Sequence, residues 1–77
     1  MEELLRTIAK GLVEDKDAVE IAVDPINDEG VVVYHLHVAP DDMGRVIGKQ
    51  GKTAKAIRCV MRAGANRMNQ KVNVEID

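Results

Sequence analysis

The stretch Val46-Ile47-Gly48-Lys49-Gln50-Gly51-Lys52-Thr53 decides how this sequence is read. Two glycines bracket two long polar residues. Each glycine lacks a Cβ, tolerates positive φ and lets a ligand's backbone approach the main chain. Upstream, Pro40-Asp41-Asp42 reads as a helix start with Asp41 or Asp42 as N-cap, and about two helical turns fit before Gly48. Downstream, a longer helix runs from just after Gly51 to about Arg67, so its unpaired N–H groups and positive dipole end face the same corner. Lys49 and Lys52 add mobile positive charge there. A sugar-phosphate backbone is the natural guest of such a corner.

Working outward, Met1, Leu4, Leu5, Ile8, Ala9, Leu12 and Val13 recur at the spacing of an amphipathic helix. Glu2 and Glu3 stand at its start, where the helix dipole favours negative charge. Val19, Ile21 and Val23 then alternate with polar or small residues, as in a half-buried strand. The segment from Asp24 to Gly30 is dense in turn formers and predicts a hairpin loop. A second strand follows from about Val31 to Ala39, with Val32, Tyr34, Leu36 and Val38 on one face. In the long helix, Ala54, Ile57, Val60, Met61, Gly64 and Met68 fall on one side at 100° per residue, while Lys55, Arg58 and Arg62 form a separate stripe. Lys71 to Asp77 alternates again, with Val72, Val74 and Ile76 facing inward. The order helix, strand, strand, short helix, long helix, strand predicts one α+β domain over residues 1–77, a three-stranded sheet with helices packed on one face.

Net charge is only −2, but it is segregated. Between Met43 and Val74 stand Arg45, Lys49, Lys52, Lys55, Arg58, Arg62, Arg67 and Lys71, with no acid among them. Residues 1–42 hold eleven acids against Arg6, Lys10 and Lys16. The basic half is either a polyanion footprint or a solvated helix face. The apolar residues near the start are interrupted by Arg6 and Lys10, unlike a signal peptide, and no run approaches a membrane span; a cytoplasmic protein is expected. The single cysteine, Cys59, excludes an internal disulfide framework.

Other chemistries fit less well. Gly51-Lys52-Thr53 mimics the end of a Walker A loop, but that motif needs glycine where this chain has Val46 and a strand where a short helix is expected. His35 and His37 share a strand face without a further His or Cys to complete a metal site, so neither a metal nor a cofactor is expected. Cys59 has no base partner, and no acid–base constellation surrounds the loop, so no catalytic residue and no enzyme activity are expected. With Tyr34 as the only aromatic, the chain lacks the stacking platforms of RRM and OB-fold readers.

Val46-Ile47-Gly48-Lys49-Gln50-Gly51, with Ile57 beyond it, resembles the VIGxxGxxxxxI signature of KH domains, modules whose GXXG loop clamps the backbone of four nucleotides. The element order is similar to the type II (prokaryotic) KH fold. Size, the N-terminal helix and the run Gly44-Arg45-Val46-Ile47-Gly48-Lys49 followed by Ala56-Ile57-Arg58 resemble the small stand-alone bacterial KhpA (YlqC) family across the whole chain. The resemblance implies a single-stranded RNA-binding protein, an RNA chaperone or post-transcriptional regulator acting with a KhpB-like partner and linked to cell-wall homeostasis and cell length. It implies RNA contacts at Gly48, Lys49, Gln50 and Gly51, and an apolar groove to which Val46, Ile47 and Ile57 contribute and which the last strand borders near Val72 and Val74. Arg45, Lys52, Lys55 and Arg58 complete the expected interface on charge, with Arg62, Arg67 and Lys71 left open. Many KH domains carry a bulkier aliphatic where this chain has Ala54, which implies a shallower groove floor. A homodimer through the long helix is expected from small size and from Val60, Met61 and Met68. The alternative is a protein-interaction module of KH shape with little RNA affinity.

Overall fold

A computed structural model describes residues 1–76 of the chain. Helix α1 (Glu2–Leu12) is followed by a 3₁₀ turn at Lys16–Ala18 and strands β1 (Glu20–Val23) and β2 (Val31–His37). Helix α2 (Met43–Ile47), entered through a 3₁₀ turn at Pro40–Asp42, leads by way of the Gly48–Gly51 loop into α3 (Lys52–Arg67) and then β3 (Lys71–Ile76). Central β2 pairs antiparallel with β1 and parallel with β3. Parallel neighbours require a long crossover. Here α2, the loop and α3 supply it, which is why the loop lies at one end of the helical layer.

The alternation of β2 is read out directly in burial: Tyr34, Leu36 and Val38 are buried under the helices, whereas His37 on the other face is exposed. Leu5, Ala9 and Val13 of α1 and its end, Val46 of α2, Ile57, Met61 and Ala65 of α3, and Val72 and Val74 of β3 close one core over that face. Asn27 organises the hairpin. Its side-chain oxygen accepts the N–H groups of Glu29 at 2.9 Å and Val31 at 3.0 Å.

Three expectations need correction. Val60 and Met68 are 47% and 56% exposed. The helix is wedged between α1 and β3 and buries a narrower stripe at Ala54, Ile57, Met61 and Ala65, and Met68 lies past its last turn. Val23 is also exposed, at the end of a short edge strand whose helical neighbour is α1. Asp42 precedes α2 but makes no side-chain cap to it. Its buried carboxylate instead accepts the backbone N–H groups of Glu14 at 3.2 Å and Asp15 at 3.1 Å, and so ties the segment after α1 to the start of α2.

Candidate nucleic-acid interface

The Gly48–Gly51 loop has two glycines for two different reasons. Gly48 has φ 76° and ψ 175°, a region essentially restricted to glycine. A Cβ there would stand 2.2 Å from Thr53 Oγ1 and 2.8 Å from the Thr53 backbone nitrogen. Gly51 has φ 75° and ψ 12°, left-handed helical backbone, and a Cβ there would meet nothing within 4 Å. Between them Gln50 is also left-handed at φ 58°. The Gly48 N–H closes α2 on Gly44 O at 2.9 Å, and the Gly51 N–H turns back on Gly48 O at 3.2 Å. The amides of Lys49 and Gln50 lie ahead of the first helical turn and have no intrahelical acceptor. Both side chains are exposed. The corner thus combines main-chain donors, the positive end of α3 and the Lys49 and Lys52 ammonium groups, which suits it to hold a phosphodiester.

Behind the loop, α3 and the edge strand β3 run side by side, and the basic stripe lies along this seam. Arg58 is half-buried and its Nε donates to the Val74 carbonyl at 3.2 Å, so the side chain is pinned to the β3 edge. Lys55 and Arg62 are exposed on either side of it in sequence. Lys49, Lys52, Lys55, Arg58, Arg62, Arg67 and Lys71 take part in no ion pair among the described residues. Arg45 differs from what its charge alone suggests. Its guanidinium reaches Glu14 Oε1 at 2.8 Å and Asp42 Oδ1 at 3.2 Å, so its charge is answered by acids from the first half of the chain. Hydrogen bonds from the Asp15 and then the Glu14 backbone, aided by Arg45, hold the Asp42 carboxyl below the usual carboxylate range despite its burial.

Of the apolar residues expected on the groove surface, Ile47 is 38% exposed and available. Val46 and Ile57 are not: they are buried in the core and support the corner from beneath. Ala54 is buried at the same level. Tyr34 is buried as well, which leaves no exposed aromatic ring among the described residues. On the open face of the sheet, His35 of β2 lies between Asp24, just past β1, and Glu75 of β3: Nε2 lies 2.9 Å from Asp24 Oδ2 and Nδ1 3.4 Å from Glu75 Oε2. His37 is exposed, and the described residues contain no cluster of three or more His, Cys, Asp or Glu that could hold a metal. Cys59 is exposed on α3.

The opposite flank of α3 is apolar. Ile8 and Leu12 of α1 with Thr53, Ala56, Ile57 and Val60 of α3 line a groove of about 220 Å³. Among these, Val60 was expected in the core and Ile8 and Leu12 as part of the buried face of α1; the last two are only half-buried. A feature that charge counting passed over lies on the basic flank. Arg62, Ala65, Asn66, Gln70, Lys71 and Val72 line an open surface cavity of about 230 Å³ where α3 ends and β3 begins. The i, i+4, i+8 spacing of Arg58, Arg62 and Asn66 was the available signal.

Comparison with known proteins places this arrangement. The family described as KhpA/KhpB, KH domain, matches residues 2–76. An RNA-binding protein KhpA of Clostridium acetobutylicum is 51% identical over 76 residues, 99% of each chain. Proteins of the same name from Caldanaerobacter subterraneus and Listeria monocytogenes are 50% and 41% identical, covering 99% of this chain and 99% and 97% of theirs. Among solved structures, Aquifex aeolicus Era bound to GDP and aluminium fluoride superposes with a TM-score of 0.68, and Era in complex with MgGDPNP and nucleotides 1506–1542 of 16S ribosomal RNA with 0.61. Both are 21% identical and share the fold over 96% of this chain, which spans 28% of theirs. With its α-β-β-α-α-β order, mixed three-stranded sheet and glycine-bracketed helix junction, the chain belongs to the KhpA/KhpB family of KH domains.

Proposed function

We propose that this protein binds single-stranded RNA through the Gly48–Gly51 loop and the seam between α3 and β3, and that it acts by binding alone, without catalysis. The observation that carries this reading is the loop itself. Gly48 is held where only glycine fits, Lys49 and Gln50 project into solvent, and the cations beside them have no carboxylate partner among the described residues. Curated relatives of the same length named as RNA-binding proteins support it. The main chain at Gly48, Lys49, Gln50 and Gly51 and the side chains of Lys49 and Lys52 hold the phosphates. Ile47 offers apolar surface to a base, and Lys55 and Arg58 guide the strand along β3. Arg45, Val46 and Ile57 position the corner from behind. If about three phosphates are neutralised, log K against log salt falls with a slope of about −2.

The test is fluorescence anisotropy of short single-stranded RNAs with the wild type and with Lys49→Asp/Gln50→Asp. Both side chains are exposed, so the fold persists. Losing one charge-assisted contact and adding two repulsive charges weakens binding by at least about tenfold. Equal affinity of the two proteins would remove the loop from the interface.

A second reading is favoured by the apolar groove between α1 and α3, which faces away from the basic flank. Apolar surface that a small domain leaves exposed is used for protein contacts. We assign it to self-association, which would double a weak RNA site. A KhpB-like partner, chaperone activity, a cytoplasmic setting and a role in cell-wall homeostasis and cell length are part of the same proposal by family membership. No helix among the described residues is long and apolar enough to cross a membrane.

A further inference from the structure

The seam that begins at the loop does not end at Arg58. One helical turn further, about 6 Å along α3 at 1.5 Å per residue, stands Arg62, and one turn beyond that Asn66. There the chain leaves α3 through a tight turn: Gln70 N–H donates back to Ala65 O at 2.8 Å, and Asn69 is left-handed at φ 55°. This turn forms one side of the open cavity of about 230 Å³ lined by Arg62, Ala65, Asn66, Gln70, Lys71 and Val72.

We propose that this cavity is a second nucleotide subsite, which receives one base of the same RNA strand beyond the nucleotides held at the loop. The inference rests on the RNA-binding reading above and extends it along the seam. Three features argue for a nucleotide. The cavity lies on the basic side of α3, and its charged lining residues, Arg62 and Lys71, are both cationic. Arg62 and Lys71 take part in no ion pair among the described residues. Asn66 and Gln70 each carry an amide that presents a donor and an acceptor in one plane, the pattern that reads base edges. The volume is below the roughly 300 Å³ at which sites for drug-sized ligands begin, a scale that suits a single base-sized group.

The experiment compares wild type with Asn66→Ala/Gln70→Ala. Both side chains are exposed and neither takes part in the core, and the backbone bond from Gln70 is retained. The probes are tetrauridine, tetrauridine extended by two uridines at each end, and the same extension with abasic residues. Tetrauridine binds both proteins equally. The uridine extension tightens wild-type binding about five- to tenfold more than the abasic one, the yield of roughly one hydrogen-bonded base at 1 kcal/mol or slightly above. The variant loses that difference. In ¹⁵N spectra of the wild type, the Asn66 and Gln70 side-chain amides shift with the uridine extension and stay in place with the abasic one. Equal gains from both extensions, or an unchanged variant, would overturn the subsite while leaving the loop's role intact. Failure of every probe to bind the wild type would overturn the RNA reading and the subsite with it.

Discussion

Replacing each loop glycine by alanine separates two physical demands that a GXXG pattern merges. At Gly51 the added methyl meets open space, so only the left-handed backbone is penalised, by about 1–2 kcal/mol. At Gly48 the backbone region is costlier, about 1–3 kcal/mol, and the methyl would stand 2.2 Å from Thr53 Oγ1, 2.7 Å from its Cβ and 2.8 Å from its backbone nitrogen. Forcing extra volume into packed surroundings adds about 1–3 kcal/mol. Gly48→Ala therefore costs about 2–6 kcal/mol. In a domain of this size 1 kcal/mol moves Tm by about 4–8 °C. Thermal unfolding followed by circular dichroism should show Gly51→Ala lower by about 4–16 °C and Gly48→Ala lower still, by at least about 8 °C, or unfolded outright. Trimming the neighbour sharpens the test. Thr53→Gly removes the first two clashes but leaves the 2.8 Å approach to the backbone nitrogen, so Gly48→Ala/Thr53→Gly recovers only part of the loss. Equal Tm values for the two alanine variants, or complete recovery in the double variant, would refute the assignment of Gly48 to steric necessity.

Two further outcomes follow from the same geometry. Because the folded Asp42 carboxyl titrates below its unfolded value of about 3.9, its contribution is complete above that pH and disappears as pH falls through the lowered folded value. The Tm gap between wild type and Asp42→Asn, measured from pH 7 down to pH 2, should therefore narrow at the acid end; a constant gap would show that the charge is not what Asp42 contributes. Val60→Asp places a carboxylate in the apolar groove, so sedimentation equilibrium at tens of micromolar should show wild-type dimers and variant monomers with unchanged RNA affinity per protomer. A monomeric wild type removes the self-association proposal.

Element order and strand faces were legible because the periods of helix and strand differ so plainly here: Tyr34, Leu36 and Val38 declared the covered face of β2 by alternation alone. Angular arithmetic failed on α3 because it assumes a single flat neighbour. A helix held by α1 on one side and β3 on the other buries small Ala65 and exposes Val60. Long-range electrostatics were invisible. Asp42 reaches amides that lie 27 and 28 residues away, and Arg45 meets Glu14 across 31, pairings that no local pattern encodes. For this reason charge alone groups Arg45 with the loop's cations, although its guanidinium is engaged by Glu14 and Asp42. The junction at Gly48 and Gly51 was legible since glycine spacing reflects backbone conformation directly, but the different reason for each glycine required knowing where Thr53 lies.

The contact between Arg58 and Val74 has a consequence for solubility. β3 is an outer strand, and its free side is a row of main-chain groups open to pairing with another chain. The guanidinium occupies one of those carbonyls and sets a charge against a run that alternates Val72, Val74 and Ile76. Arg58 thus stands as a charged gatekeeper on the open edge of β3, the kind of residue that discourages strand-to-strand pairing between chains.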